Sequence, residues 1–298
     1  MKEIDLLIDS GAFSAWTQGK EINLDDYIEF CLQYIDIADA VVNLDVIPGR
    51  PYKRITPKEY EKSAEQGWKN YEKMLGAGIP KEKLIHVFHQ GEDFKWLERM
   101  VKEIPYIGLS PANDKTLEQK IAWLDQCMEY VTDEDGMPLV KFHGFAVTSL
   151  EMMLRYPWYS VDGTTWTVKA RLGGVFVPRL IKGKWVYDEK FWIIPISSRS
   201  PERKEAGKHF DTLPPSIRKI AMRYFEEMGF PLGRSRFEKV PQTYELKDNE
   251  RWAEKKPSDP HERRLIEIIE ELGLCNSCRF RDEANFMFFQ NLEKALPK

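Results

Sequence analysis

Acidic side chains recur at the ends of short apolar runs in the first half of the chain. Asp9 follows the first run, Asp45 lies in the second, and Asp162 ends the sixth, and no Lys or Arg shares these positions. Paired carboxylates suit glycosyl-transfer chemistry, in which one attacks the anomeric carbon and the other moves a proton on the leaving group. An aspartate after a strand can also simply cap the next helix or close a turn. Three in succession favour the catalytic interpretation.

The other apolar runs also end in polar residues or glycines. Loops that follow parallel strands gather at one face of an α/β fold, where active sites form. We therefore expect one rim that combines three carboxylates, an amide and several glycines. The residues at the ends of the third, fourth and fifth runs are His89, Gln90, Gly91, Gly108, Leu109, Ser110, His143 and Gly144.

Two pairs of residues have the types that bind metals, but neither pair completes a site. His86 and His89 are separated by an odd number of positions in one predicted strand, so they point to opposite faces. Cys275 and Cys278 have the CxxC spacing of a zinc half-site, but no second CxxC and no later histidine follows. We expect two buried thiols here, with zinc as the alternative. The sequence has no phosphate-binding glycine motif, so no nucleotide cofactor is expected.

The elements that must position these residues alternate between β-type and helical patterns. Thr56 followed by Pro57 marks one helix start, and Thr116 with Gln119 has the spacing of a capping box. Such alternation is typical of βα units around a parallel sheet. The β-type runs cover residues 4–9, 40–47, 84–90, 106–109, 139–147 and 159–162.

These units predict an α/β fold, specifically a TIM-like (β/α) barrel. A closed barrel of this class has eight strands, whereas the sequence shows six clear runs. Either two strands come from the later half, or the barrel is incomplete and other elements close it. A doubly wound open sheet is the alternative architecture.

The second half of the chain has a different pattern. Residues 173–196 read as an antiparallel β-hairpin around Gly183. We therefore expect a catalytic core of residues 1–196 that includes the hairpin. Residues 197–298 are expected to form a mostly helical region that packs on the barrel and contributes to nucleic-acid binding. Its helices are expected at residues 215–229, 262–272 and 282–296, with a loop-rich stretch between the first two.

Charge and composition limit the partner and the compartment. The net charge is −4, yet residues 169–239 carry sixteen Lys and Arg against eight Asp and Glu, which leaves −12 for the rest. A basic segment is what phosphate contacts require, although scattered surface charge gives the same count. The chain has four cysteines, no apolar leader after Met1 and no apolar run long enough to span a bilayer. These features predict a cytoplasmic protein without a membrane segment.

The rim residues, taken in order, resemble the motifs of the tRNA-guanine transglycosylase family. The resemblance covers about residues 4–196. Ala12 stands where the family has a second glycine, and Asp162 stands at the position of the family's nucleophilic aspartate. The similar segments are Asp9-Ser10-Gly11-Ala12-Phe13, Asn43-Leu44-Asp45-Val46-Ile47-Pro48, Val87-Phe88-His89-Gln90-Gly91, Ile107-Gly108-Leu109-Ser110, Ser160-Val161-Asp162-Gly163 and Ala170-Arg171-Leu172-Gly173-Gly174.

The departures from the family's pattern point to one branch of it. The family carries a zinc site of three closely spaced cysteines and a later histidine, which helps to dock tRNA, and only Cys275 and Cys278 could correspond here. Short relatives with a reduced zinc site are similar to viral enzymes that install 7-deazaguanine bases in DNA. The resemblance therefore implies a phage-type DNA transglycosylase, acting in the host cytoplasm without a cofactor, with tRNA as the alternative substrate.

The resemblance also implies residue roles. Asp162 would attack C1′ of a guanosine nucleotide, and Asp9 would be the general acid for the departing guanine and then the base toward the incoming 7-deazaguanine. Asp45 would bind the N1 and N2 edge of the base, Gln90 would address O6, and Phe13 would stack on the ring. The expected substrate-binding residues are Ser10, Phe13, Asp45, Gln90, Gly108, Leu109 and Gly144. The expected nucleic-acid contacts are Arg171, Arg199, Arg203 and Lys204.

Two other classes of function are also compatible with the sequence. A barrel hydrolase of small nucleosides or glycosides would use the same carboxylates but would not need the basic segment. A non-catalytic nucleic-acid-binding barrel would bind its partner without exchanging a base.

Overall fold

The computed structural model describes residues 6–50, 53–147 and 149–295. The chain divides into two compact units, Met1–Gly163 and Thr164–Lys298. The division falls earlier than the expected boundary after residue 196, because the hairpin packs against the C-terminal helix. The Phe176 amide donates to Oδ1 of Asn285 at 2.9 Å, and the Phe176 ring stacks on Phe288 at 5.4 Å.

The first unit is built on one parallel sheet, in which each strand pairs with its neighbours in the sequence. This confirms the α/β class and all six predicted runs, although residues 4 and 5 of the first run lie outside the described residues. Strand β3 is buried along its whole length, as expected for a parallel strand covered on both faces. The strands, in sheet order, are β1 Leu7–Ile8, β2 Ala40–Val42, β3 Leu84–His89, β4 Tyr106–Ser110, β5 Lys141–Gly144 and β6 Ser160–Val161.

Helices connect the successive strands of this sheet. The two capping signals of the sequence are confirmed, since Thr56 and Thr116 each form a capping box, with Glu59 and Gln119 respectively. The strands follow one another in sequence order, and the sheet curls into a half-barrel. The helices are α1 Ala12–Gln18, α2 Leu24–Tyr34, α3 Pro57–Gly76, α4 Phe94–Glu103, α5 Leu117–Val131 and α6 Leu150–Arg155.

The second unit combines antiparallel strands with helices. Its hairpin turns at Lys182 and Gly183, which both have positive φ, as the tight turn that matches strand twist requires. None of the described helices in either unit is long and apolar enough to cross a membrane. The elements are α7 Thr165–Arg171, β7 Gly174–Ile181, β8 Lys184–Pro195, α8 Pro215–Glu227, β9 Arg234–Val240, β10 Glu250–Trp252, β11 Arg264–Glu271 and α9 Cys278–Ala295, with short 3₁₀ turns at Pro201–Lys204 and Phe210–Thr212.

One predicted helix of this unit is wrong. Residues 262–272 were expected to be helical, but Arg264–Glu271 is the central strand β11 of a three-stranded antiparallel sheet in the order β10, β11, β9. The apolar residues of this short run fit either periodicity, and its three isoleucines favour a strand. Strands β9 and β10 of this sheet lie within the stretch that was expected to be loop-rich. The region after residue 197 is therefore mixed rather than mostly helical.

Candidate active site

The carboxyl end of β1 turns directly into helix α1 and presents Asp9. Gly11 makes this turn with a φ of 71°, a left-handed conformation that suits glycine. The Ser10 amide donates to Oδ1 of Asp9 at 2.9 Å, and the Ala12 amide donates to Oγ of Ser10 at 3.2 Å. Asp9 is exposed, whereas Ser10 is buried. The sharp turn therefore holds the Asp9 carboxylate at the rim of the sheet.

Asp45, beyond the end of β2, is anchored by the protein through both carboxylate oxygens. Ser10 Oγ donates to Oδ1 at 3.2 Å, and Nε2 of His89 lies 2.8 Å from Oδ2. Only 9% of the Asp45 side chain is exposed. A hydrogen bond from a guanine edge to Asp45 would therefore need the remaining lone pairs of oxygens that already have partners.

His89 lies between two carboxylates, and this arrangement fixes its charge. Nδ1 of His89 lies 3.1 Å from Oε1 of Glu92, opposite the contact to Asp45. Burial opposes a charged imidazole, but the carboxylates of Glu92 and Asp45 outweigh it and raise the pKa of His89 to about 10. His89 is therefore protonated at neutral pH. The sequence predicted His89 on the rim but gave Glu92 no role. The signal that could have identified Glu92 is its position three residues after His89.

Two acids that follow other strands of the sheet, Asp45 and Asp162, act electrostatically on Asp9. Although Asp9 is accessible to solvent, the surrounding protein removes part of its hydration, and this desolvation raises its pKa; the negative charge of Asp45 raises it further, and Asp162 adds a smaller increase. Asp9 follows edge strand β1 and Asp162 follows the opposite edge strand β6. In a flat sheet the edge strands would be separated by roughly 24 Å, a distance at which charges are screened in water. The small effect of Asp162 on the pKa of Asp9 therefore agrees with a curled sheet, in which the ends of the two edge strands are closer than in a flat one.

Asp162 presents one carboxylate oxygen to the protein and leaves the other open. The Ala146 amide donates to Oδ1 at 2.8 Å, and Nε2 of His143 lies 3.4 Å from the same oxygen. Among the described residues, none hydrogen-bonds to Oδ2, and 55% of the side chain is exposed. An oriented, accessible carboxylate of this kind can act as a nucleophile.

A partly buried hydrogen-bonded chain lies behind Asp162. Nδ1 of His143 is 2.7 Å from Oγ of Ser160, which in turn is 2.7 Å from the hydroxyl of Tyr106. The Phe145 ring contacts the imidazole edge-on, with ring centroids 4.4 Å apart. His143 and Ser160 appear in the sequence motifs, but nothing in the sequence indicated that Tyr106 joins them.

Gly108, Leu109 and Gly144 are packed into the sheet rather than open to a substrate. A Cβ at Gly108 would lie 2.4 Å from the Phe145 ring, and one at Gly144 would lie 2.6 Å from Val147. Gly108 is paired with both neighbouring strands, and Leu109 is fully buried with its carbonyl accepting from the Phe145 amide at 2.9 Å. These glycines allow the close approach of the loop after β5.

Gln90 and Phe13 are placed very differently. Oε1 of Gln90 accepts from the Ala112 amide at 2.9 Å, and its Nε2 donates to the Gln119 carbonyl at 3.2 Å. The amide therefore ties down the start of α5, and the expected contact with O6 of a base would require it to leave these partners. Phe13, on α1, is 48% exposed and can stack on a ring.

The residues considered for metal binding have other partners. Burial lowers the pKa of His86 to about 3, and its Nδ1 accepts a hydrogen bond from Asn43 at 2.9 Å. Cys275 and Cys278 are free and partly exposed rather than buried, and burial raises the pKa of Cys275 to about 11. Within the described residues, no group of three or more His, Cys, Asp or Glu side chains is arranged to hold a metal ion.

The four expected nucleic-acid contacts all lie in the second unit. Arg203 pairs with Asp211 at 2.7 Å, and Arg199 lies 3.8 Å from the buried carboxylate of Glu267. Arg171 and Lys204 are exposed. Two of the four cations are therefore partly neutralised by the protein itself.

The chain was compared with protein-family models, with curated proteins and with solved structures, and none of the three comparisons gives a match.

Proposed function

We propose that the chain is a base-exchange transglycosylase, which replaces guanine in nucleic acid with a 7-deazaguanine base through a covalent glycosyl-aspartate intermediate. The six-stranded sheet then serves as an incomplete TIM-like barrel, whose carboxyl-end rim is the active site. The substrate is a nucleic acid, with DNA favoured over tRNA, and the second substrate is the free base.

The observation that carries this proposal is the difference between Asp9 and Asp162 at one rim. Desolvation and the neighbouring acids raise the pKa of Asp9, which favours its protonated form as a proton donor. Asp162 is exposed, and among the described residues its hydrogen bonds go to Oδ1, which leaves Oδ2 accessible for attack on a sugar carbon. Two carboxyl groups in environments that separate their roles are typical of glycosyl transfer.

In the first half-reaction, Oδ2 of Asp162 attacks C1′ of the target nucleotide. The bond from C1′ to the base nitrogen breaks, and guanine leaves with a proton from Asp9. In the second half-reaction the Asp9 carboxylate takes a proton from the incoming base, which attacks C1′ and releases Asp162. The ester conserves the glycosidic bond energy, so the exchange balances without a cofactor.

Other residues of the rim support this chemistry. Protonated His89 and Ser10 hold Asp45 as a fixed negative charge, and that charge raises the pKa of Asp9. Exposed Phe13 offers a surface on which an extruded base can stack. A target base in a duplex would first have to flip out of the stack.

The test is incorporation of labelled guanine into DNA and, separately, into tRNA by the full chain. We expect incorporation into DNA, and loss of incorporation in Asp9→Asn and Asp162→Asn. Release of free guanine without incorporation would identify a hydrolase instead. Binding of nucleic acid without release or incorporation would identify a non-catalytic binding protein.

A further inference from the structure

We propose that His143 is a positioning residue for Asp162, held by Ser160 and Tyr106 in the tautomer that carries its proton on Nε2 and directs it at Oδ1. The catalytic role given to His143 rests on the proposed function. The contacts among His143, Ser160, Tyr106 and Asp162 are independent of that function.

The Nε2 atom of His143 is buried beside the Asp162 carboxylate but does not form a hydrogen bond of good geometry with a described residue. The residue is 2% exposed, and within the described part of the chain its Nε2 atom is buried without a hydrogen-bond partner of good geometry. An orphan polar atom in a protein interior is costly unless a substrate or a moving side chain satisfies it. The nearest acidic oxygen is Oδ1 of Asp162, at 3.4 Å.

The other ring nitrogen determines which atom carries the proton. If Nδ1 accepts from the Ser160 hydroxyl at 2.7 Å, the proton lies on Nε2 and faces the Asp162 carboxylate. If Nδ1 donated instead from a neutral ring, the Nε2 lone pair would face that carboxylate and repel it. The Tyr106 hydroxyl, 2.7 Å from Ser160 Oγ, fits the first arrangement, because it can donate to Ser160 Oγ while the Ser160 hydroxyl donates to Nδ1.

Two donors then converge on one oxygen of the nucleophile. The Ala146 amide already donates to Oδ1 at 2.8 Å, and a small shift of the side chain adds Nε2 of His143. Ala146 itself has a φ of 51°, a strained value for a residue with a side chain, which aims its amide at Asp162. Oδ2 remains the attacking oxygen.

This arrangement acts mainly in the second half-reaction. In the covalent intermediate, Oδ2 is bonded to C1′ and Oδ1 is the ester carbonyl oxygen. When the incoming base attacks C1′, the bond between C1′ and Oδ2 breaks and the electron pair returns to the carboxylate. Donors fixed on Oδ1 stabilise that developing charge, as backbone and side-chain donors do in an oxyanion hole.

The first test is spectroscopic and does not depend on activity. The chain has five histidines, so the ring ¹⁵N–¹H correlations of a ¹⁵N-histidine sample can be assigned with His143→Gln. We expect a proton on Nε2 of His143, and we expect Asp162→Asn to shift that Nε2 resonance while leaving His261, which is exposed, unchanged. A neutral ring protonated only on Nδ1 would overturn the proposal.

The second test separates positioning from folding. Gln at position 143 can place an amide N–H near the Nε2 position, whereas Leu cannot, so thermal unfolding and single-turnover rates are measured for both variants. We expect His143→Leu to slow turnover of the glycosyl-enzyme about 100-fold with little change in KM, and His143→Gln to restore most of the rate. Equal rates for the two variants would contradict the proposal. Absence of any base exchange by the wild-type protein would refute the proposed transglycosylase function. The ¹⁵N–¹H spectrum would still show which ring nitrogen of His143 carries the proton.

Discussion

Nε2 of His89 lies 2.8 Å from Oδ2 of Asp45, and each of these side chains is only 9% exposed. A second carboxylate, that of Glu92, contacts the opposite nitrogen of the same ring. A buried imidazolium between two acids is a fixed part of the protein rather than a titrating group of catalysis. It holds Asp45 in place and so maintains the negative charge that acts on Asp9.

Replacement of His89 should therefore destabilise the protein in a pH-dependent way. The pKa of His89 is raised to about 10 in the folded protein, so its contribution is fully present below the unfolded value and is lost as the pH rises through about 10. We expect His89→Gln to lower the free energy of unfolding by about 3–5 kcal/mol near neutral pH, because Asp45 and Glu92 are left buried without a cation. The deficit should shrink as the pH approaches 10.

Urea denaturation of both proteins over this pH range measures the effect. His261→Gln is the matched control, because His261 is exposed, and it should leave the curve unchanged. A deficit for His89→Gln that is independent of pH would contradict the assignment of charge.

Base release should depend on pH through Asp9. Since desolvation and Asp45 raise the pKa of Asp9, its protonated form persists to higher pH than for an ordinary aspartate. The rate of guanine release should fall as the pH rises through that pKa. Asp45→Asn removes the negative charge and should move the fall in the release rate to lower pH. The measurement is the initial rate of labelled guanine release across a pH series. A shift to higher pH would contradict the proposed electrostatic coupling.

Many of the features of the first unit follow from local sequence signals. Thr56 followed by Pro57 and Thr116 with Gln119 each mark a helix start with residues that are close together in the sequence, and both starts were predicted correctly. The strands were predicted because buried parallel strands need continuous apolar runs. At β11 this logic failed, since the same apolar spacing serves a helix or a strand, and pairing with β9 and β10 decided between them.

The sequence predicted which acidic residues belong to the candidate site, but it did not predict the hydrogen-bond partners of those residues. Asp9, Asp45 and Asp162 could be named because each ends a strand, but their partners come from tertiary packing. Tyr106 reaches Ser160 across 54 positions of sequence, and no spacing rule connects them. Gln90 shows the opposite failure, because its amide is engaged by the backbone of Ala112 and Gln119, partners that its motif does not reveal.

Gly108 should tolerate no side chain. An added Cβ would lie 2.4 Å from the Phe145 ring, so Gly108→Ala should lower the free energy of unfolding by about 1–3 kcal/mol, the usual cost of overpacking. Gly76, at the end of α3, has no atom within 4 Å of an added Cβ, so Gly76→Ala is a control that should be neutral or slightly stabilising. Chemical denaturation measures both, and Phe145→Ala combined with Gly108→Ala should recover part of the loss.

The basic residues of the second unit should contribute unequally to nucleic-acid binding. Lys204 is exposed, whereas Arg203 is paired with Asp211 at 2.7 Å. If each makes one phosphate contact, Lys204→Gln should reduce the slope of log Kd against log salt by roughly one, and Arg203→Gln should reduce it by less. Fluorescence anisotropy with a DNA duplex and with tRNA gives both slopes. An unchanged slope for Lys204→Gln would remove this residue from the interface.

The central claim is that Asp162 forms a covalent bond to the sugar, and intact-protein mass spectrometry after denaturation measures that bond directly. The wild-type chain is incubated with guanine-containing DNA, and separately with tRNA, and is then denatured. We predict an added mass equal to the nucleic acid minus guanine, which is missing from Asp162→Asn and which proteolysis then locates on the peptide that contains Asp162. An adduct that persists in Asp162→Asn, or a wild type that releases guanine without ever forming an adduct, would contradict the account.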